Sequence, residues 1–335
     1  MRHTPPNPLI AHASMSHVAD FLTPLDLQKI SNLQVVARQV VEGFCSGLHR
    51  SPHKGFSVEF KQHRQYVPGD EIRHIDWRAF GRSDRFYIRE YEEETNLRAS
   101  IVLDVSRSMA WSGAQMRTGG GPSGGAESRA RDSATTVAQL TKLEYAERLT
   151  AALALLLLRQ RDAVGLVRFD ERIRTAVAPR ARNGQWRRIV ASLEEPGAGR
   201  ASSAAAALSQ AARLISRRGL IVLVSDLLME MEEVETAMRG LRALGHDVTV
   251  LHIMDPAERE LPGGGEAVFI DPETELSVPA SIADVRAAYK KTVDEVIAEW
   301  RSMFGGLGIG YEIVSTDAPF GVPLRQAFAA RQMLP

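Results

Sequence analysis

The sequence predicts an α/β protein with a doubly wound, largely parallel sheet, preceded by a smaller unit made of one helix and a β-rich segment. Three observations carry this. From Leu97 onward, short apolar runs of strand length alternate with segments of helical period, the pattern of strands joined by crossover helices and covered on both faces. Two of those runs, Ser100-Ile-Val-Leu103 and Leu220-Ile-Val-Leu-Val224, pass directly into oxygen-bearing side chains, as strands do when they end at a ligand-binding edge. A chain of 335 residues, 44% of them hydrophobic, also suffices for one large α/β domain and a smaller companion.

The first element follows from Thr23-Pro24-Leu25-Asp26, which combines a capping residue, a proline suited to the first helical position and an acid in the first turn. Leu27, Ile30, Leu33, Val36, Val40, Val41 and Phe44 continue at helical spacing, and Gly43 and Gly47 place the helix end near Leu48. Residues 1–22 mix Pro, His and Asn without an apolar core, so they read as a flexible tail rather than a secretory signal. From His49 to Arg98 short apolar and aromatic pieces are separated by turn signals such as Pro68-Gly69-Asp70, the mark of a small β-rich unit. The first structured unit is therefore placed at 23–96, the large domain at 97–320 and a C-terminal tail at 321–335.

Within the large domain, strands are expected at Ala99 to Asp104, Ala163 to Phe169, Ile173 to Val177, Gly219 to Ser225, Asp247 to Ile253 and Gly310 to Val314. Helices are expected at Leu143 to Arg159, Gln185 to Leu193, Ala204 to Ser216, Met231 to Leu244 and Ile282 to Phe304. Thr141-Lys142-Leu143-Glu144 has capping-box spacing and marks the start of the first of these. Ahead of it, residues 112–140 are rich in Gly, Ser, Thr and Ala with little to bury, and read as a flexible insertion. Gly119-Gly120-Gly121 lacks the Gly-Lys-Ser/Thr ending of a phosphate loop. Val322 to Leu334 has apolar spacing that suits either a docking helix or packing on the chain's own surface.

Composition narrows the function. Lys plus Arg and Asp plus Glu both number 41, so no global field draws the chain to nucleic acid or anionic lipid. Cys45 stands alone and cannot form an internal disulfide, which suits a reducing compartment. The most apolar helical run, Leu149 to Leu158, is far shorter than the roughly 20 residues that cross a bilayer. No membrane span is expected, and the predicted location is cytoplasmic. His49, His53, His63 and His74 lack zinc spacing, and Arg73, Asp76, Trp77 and Arg78 read as an ion-pair lock or a recognition surface.

The chemistry concentrates after the first strand of the large domain. Asp104, Ser106 and Ser108 alternate, so in extended chain their side chains point the same way. Ser225-Asp226 ends the fourth strand with a second hydroxyl and carboxylate. Two carboxylates balance a divalent charge, and neutral hydroxyls complete an octahedral oxygen shell that suits Mg²⁺ or Mn²⁺ over zinc. The bland alternative is that Asp104 and Ser106 satisfy loop amides while Asp226 caps the next helix.

This layout resembles a von Willebrand factor A domain with a metal-ion-dependent adhesion site. The resemblance implies a third ligand loop, at Gly199-Arg200-Ala201-Ser202-Ser203-Ala204, in which Ser202 takes the place of the family's threonine and Ser203 is the alternative. Upstream, Gly47-Leu-His-Arg50, Tyr66-Val-Pro-Gly69-Asp70, Arg73-His-Ile-Asp76-Trp77-Arg78 and Arg89-Glu-Tyr91-Glu resemble a bacterial family of unknown function. Its members join this segment to a von Willebrand A-like domain and are often encoded beside MoxR-type AAA+ ATPases. The resemblance thus implies a non-enzymatic, metal-dependent adaptor that engages a protein client or such an ATPase. The competing readings are a Mg²⁺-dependent phosphohydrolase with Asp104 as acceptor, and a scaffold with no metal bound. Against the phosphohydrolase, position 106 is a serine where a second carboxylate would be needed, and no lysine closely follows Asp226.

Overall fold

The computed structural model describes residues 32–50, 63–65, 81, 86–89, 97–113, 140–196, 204–270 and 277–332. Helix α1 (Leu33–Arg50) comes first. Asn32 caps it, its Oδ1 accepting the N–H groups of Gln34 and Val35. The expected start at Thr23 lies outside the described residues. The helix runs through Gly43 and Gly47 to Arg50, two residues past the expected end. Strands β1 (His63–Gln65) and β2 (Tyr87–Arg89) then pair antiparallel, His63 facing Arg89.

The main body runs β3 (Arg98–Asp104), a 3-10 turn (Arg107–Ala110), α2 (Lys142–Arg159), β4 (Ala163–Phe169), β5 (Ile173–Arg180), α3 (Gln185–Leu193), α4 (Ala204–Leu214) and β6 (Leu220–Ser225). It continues through α5 (Met231–Ala243), β7 (Asp247–Met254), α6 (Pro256–Glu260), β8 (Glu266–Ile270), β9 (Ser277–Ser281), α7 (Ile282–Gly306), β10 (Gly310–Ser315) and α8 (Gly321–Gln332). Six strands form one sheet in the order β10-β7-β6-β3-β4-β5. Its pairings are parallel except for β5, which lies antiparallel to β4 at the edge. The link between those two strands, residues 170–172, is too short for a crossover and forces a hairpin. The architecture is the α/β, largely parallel arrangement expected of a doubly wound fold.

Alternation along the strands fills two cores. Ile101 and Leu103 of β3, with Leu220, Val222 and Val224 of β6, pack on one face with α1, α2 and α3. Val102, Ile221 and Leu223 point to the other face, against α4, α5 and the Trp300 and Phe304 end of α7. Because both faces are covered, β4 and β6 are buried along their whole length. Helix α2 is itself sandwiched: its Leu149, Leu153 and Leu156 are buried, and Val36, Val40 and Phe44 of α1 belong to the same cluster. The apolar run Leu149 to Leu158 is thus an interior helix. Among the described residues no helix is long and apolar enough to cross a membrane.

Two elements were not anticipated. β8 and β9 form a separate antiparallel ribbon, and α6 is a five-residue helix between β7 and that ribbon. The C-terminal stretch forms α8, which docks on the chain's own body: Leu324 and Ala327 are buried, and Phe320 just before it stacks on Tyr145 of α2. The topology also fixes the switch point, since β3 has β4 on one side and β6 on the other. A crevice at the carboxyl ends of β3 and β6 is where open α/β sheets place ligands.

Candidate metal centre at the strand ends

Asp104 closes β3, and the parallel register that sets Leu103 beside Val224 brings it next to Ser225 at the end of β6. The Ser225 hydroxyl donates to Asp104 Oδ2 at 2.7 Å, and the Ser106 N–H donates to Oδ1 at 2.9 Å. The hydroxyls of Ser106 and Ser108 lie 3.0 Å apart, and Ser108 is close enough to Asp226 to help hold that carboxyl down. None of these four site residues, Asp104, Ser106, Ser108 and Asp226, is more than 4% exposed. The structure therefore brings four of the five candidate ligands together. Ser202, its alternative Ser203, the Arg73–Arg78 cluster and the glycines of the insertion lie outside the described residues.

The loop after β6 is held in an unusual conformation. The Ser225 hydroxyl accepts the N–H of Leu227 at 3.0 Å, and Asp226 Oδ1 accepts that of Leu228 at 3.3 Å. Between them Leu227 adopts a left-handed φ of 54° although it is a buried leucine. A branched side chain in that region is strained, and such strain gathers at sites where the backbone must aim specific groups. The amide contacts expected of a plain turn are present here, yet they occupy only some of the available oxygen lone pairs.

Lys142, the first residue of α2, completes the site. Its Nζ donates to Asp226 Oδ2 at 2.8 Å and to Glu258 Oε1 at 2.5 Å, with the side chain only 1% exposed. The ammonium also lies 5.9 Å from the ring centre of Trp111. Glu258 is fixed by a reciprocal cap on α6: its other oxygen accepts the Asp255 N–H at 3.1 Å, while Asp255 accepts from Ala257 N–H at 2.8 Å. Asp255 Oδ2 further accepts the Gly113 N–H at 3.1 Å and the Thr316 hydroxyl at 3.2 Å, tying the far end of the Asp104 loop to α6. The predicted cap at the start of α2 is formed, with Thr141 and Glu144 bonded reciprocally. Reading the chain missed the lysine's role, although one signal existed. A cation at the first helical position opposes the helix dipole, so it needs a carboxylate from elsewhere.

The two carboxylates titrate in opposite senses. Burial, and then repulsion from Asp226, push Asp104 up to about 7, despite its bonds from Ser225 and Ser106. For Asp226 burial pulls upward too, but the Lys142 ammonium outweighs it and holds the group below the ordinary carboxylate range. Lys142 in turn is raised, because Asp226 and Glu258 more than offset its burial. Glu258 remains raised, its burial exceeding what the shared ammonium returns. Burial also lowers His252, near Asp226 on β7, to about 4, so its imidazole is neutral at pH 7.

These residues fit an oxygen-coordinated divalent cation. Two carboxylates and two hydroxyls converge, and among the described residues no basic side chain pairs with Asp104. Among the same residues no cluster of three or more His, Cys, Asp or Glu side chains could hold a metal. Any metal here would be bound by mixed carboxylate and hydroxyl oxygens, a hard-cation set rather than a zinc set.

The model of the family described as protein of unknown function DUF58 matches residues 62–119 and 127–298. Uncharacterized proteins from Mycobacterium bovis and from two strains of Mycobacterium tuberculosis are each 26% identical over 298 residues, covering 86% of this chain and 85% of theirs. Among solved structures, an aerotolerance-related membrane protein of Bacteroides fragilis aligns with 71% of this chain and 100% of its own at 17% identity and a TM-score of 0.45. The conserved hypothetical protein BatB of Bacteroides thetaiotaomicron aligns with 70% of this chain and 99% of its own, at 14% identity and a TM-score of 0.39.

Proposed function

The chain belongs to the family described as protein of unknown function DUF58, and we propose that it is a metal-dependent protein-binding adaptor whose strand-end site holds Mg²⁺ or Mn²⁺. One observation carries this reading: buried Asp104, Ser106, Ser108 and Asp226 converge at the switch point with, among the described residues, a single ammonium to offset their charge and that of Glu258. Asp104 supplies the carboxylate with no cation of its own, Ser106 and Ser108 supply neutral oxygens, and Ser202 is the candidate third-loop ligand. A bound divalent ion would supply a Lewis-acidic position that a partner's carboxylate can complete. The strained turn at Leu227 directly follows Asp226, whose Oδ1 accepts the Leu228 N–H. The partner we propose is a MoxR-type AAA+ ATPase or its client, engaged in the assembly or maturation of other proteins.

The test is direct binding between the full chain and a MoxR-type ATPase, with Mg²⁺ or with excess chelator. Binding that requires Mg²⁺ and is lost in Asp104→Ala supports the reading. Equal binding by that variant, or undiminished binding in chelator, sinks it.

A second reading has gained one supporting observation. A Mg²⁺-dependent phosphohydrolase needs a cation in the same site as the acceptor Asp104, and Lys142 enters the site, at Asp226 rather than at Asp104, from a part of the chain 84 residues earlier. Two features count against it: Lys142 is committed to two carboxylates, and position 106 remains a serine. Phosphatase turnover that depends on Asp104 would favour it over the adaptor.

A further inference from the structure

We infer that Lys142 is the built-in counter-cation of the strand-end site and sets how tightly that site takes a divalent ion, an inference that rests on the metal-dependent reading above. The lysine holds one oxygen of Asp226, and the neighbouring Ser225 hydroxyl donates to Asp104, whose other oxygen accepts the Ser106 N–H, so the ammonium sits on the second carboxylate of the same strand-end cluster. An ammonium and a dication on one buried carboxylate repel each other, and in a water-poor site that repulsion is only weakly screened. Lys142 therefore lowers the affinity for the metal while it stabilises the metal-free protein.

Three features distinguish this from an incidental ion pair. Lys142 stands at the first position of α2, where the helix dipole disfavours a cation, so its carboxylate partners hold it there. Its second partner, Glu258, is immobilised by the reciprocal cap with Asp255, which gives the ammonium a resting place when its bond to Asp226 loosens. The charges also match: with Asp104, Asp226 and Glu258 ionised against one ammonium, two negative charges remain, the complement of a divalent ion. With all three carboxylates ionised the site is neutral when both cations are present, and the lysine makes it selective for a competitor strong enough to share Asp226.

Calorimetric titration of the full chain with MnCl₂ and with MgCl₂ tests this, comparing the natural protein with Lys142→Met and Asp104→Asn. Lys142→Met is expected to bind Mn²⁺ at least about tenfold more tightly than the natural protein. Its Tm should also rise further on adding metal, while Asp104→Asn loses binding in both backgrounds. If Lys142→Met does not fold, Lys142→Met/Glu258→Gln is compared with Glu258→Gln, since the pair of variants removes one orphaned carboxylate and isolates the same lysine. Binding by the natural protein with equal or weaker affinity in the lysine variant overturns the role of Lys142 and leaves the metal reading standing. Binding by neither protein overturns both.

Discussion

The ends of β3 and β6 carry the same chemistry and meet opposite fates. Each strand has an apolar centre buried on both faces and a buried aspartate at its carboxyl end, Asp104 as the last residue of β3 and Asp226 just after Ser225 closes β6. Asp226 has an ammonium at 2.8 Å and is held in its charged form. Among the described residues Asp104 has hydroxyl and amide donors and no cation, and burial pushes its carboxyl up to about 7. Neutral donors do not replace a charge once water is excluded. Position along a strand decides where a carboxylate sits, whereas the helix packed above it decides whether that carboxylate is satisfied.

The strongest way to break this contrast is to remove the ammonium. In chelator, Lys142→Met should lose about 3 to 5 kcal/mol of stability by chemical denaturation, because two carboxylates are left buried without their cation. A loss below about 1 kcal/mol would mean that the ammonium does little for Asp226.

Next comes the pair of aspartates themselves. Asp226→Asn should cost about 3 kcal/mol in metal-free protein, since it strips Lys142 of a partner. Asp104→Asn should stay within about 1 kcal/mol, because the amide oxygen can still accept a hydrogen bond and no cation is orphaned. Equal losses in the two variants would erase the distinction drawn here.

A third, partly buried carboxylate sets the scale. Glu147 on α2 has the Arg168 guanidinium at 3.9 Å, too far to offset its burial, and is pushed up to about 7. The folded protein thus holds this proton more tightly than the unfolded chain. The penalty is absent below the ordinary carboxylate value, grows as pH rises towards 7 and is complete above it. Relative to the natural protein, Glu147→Gln should gain roughly 2 kcal/mol between pH 4.5 and 7 and then level off. A stability difference between the two proteins that does not change with pH would contradict the burial argument.

The smallest expected effect concerns how Lys142 is aimed. Thr141→Ala removes half of the cap that fixes the first turn of α2 and should cost about 1 kcal/mol. If the cap also positions the ammonium, the variant should show tighter Mn²⁺ binding in the same direction as Lys142→Met, though weaker.

Much of the fold was legible in the sequence for reasons these residues illustrate. Ala163–Phe169 and Gln185–Leu193 fall where periodicity places them, because a run buried on both faces or an amphipathic stripe is written in local order. The Thr141/Glu144 cap was equally readable, being a contact between residues three apart. The site was half legible: the close spacing of Asp104, Ser106 and Ser108 and the matching Ser225-Asp226 pair mark two strand ends, but Ser108 lies in the 3-10 turn Arg107–Ala110, and that turn rather than extended alternation sets its hydroxyl beside that of Ser106. The β8–β9 ribbon was missed because its short strands carry little apolar alternation, with Val268 and Val278 both exposed. That β5 runs antiparallel to β4 depends on the length of a turn rather than on the strand's own residues.

By itself, then, the sequence determined the six sheet strands of the large domain, most of the helices that cover them and the two buried faces, since each depends on spacing within a few residues. Only the tertiary structure decided that Lys142 meets Asp226 across 84 residues and Glu258 across 116. Charge compensation acts through space, so the order of β6 beside β3 and the seat of α2 above them, not proximity along the chain, set which carboxylate has a cation and which still lacks one.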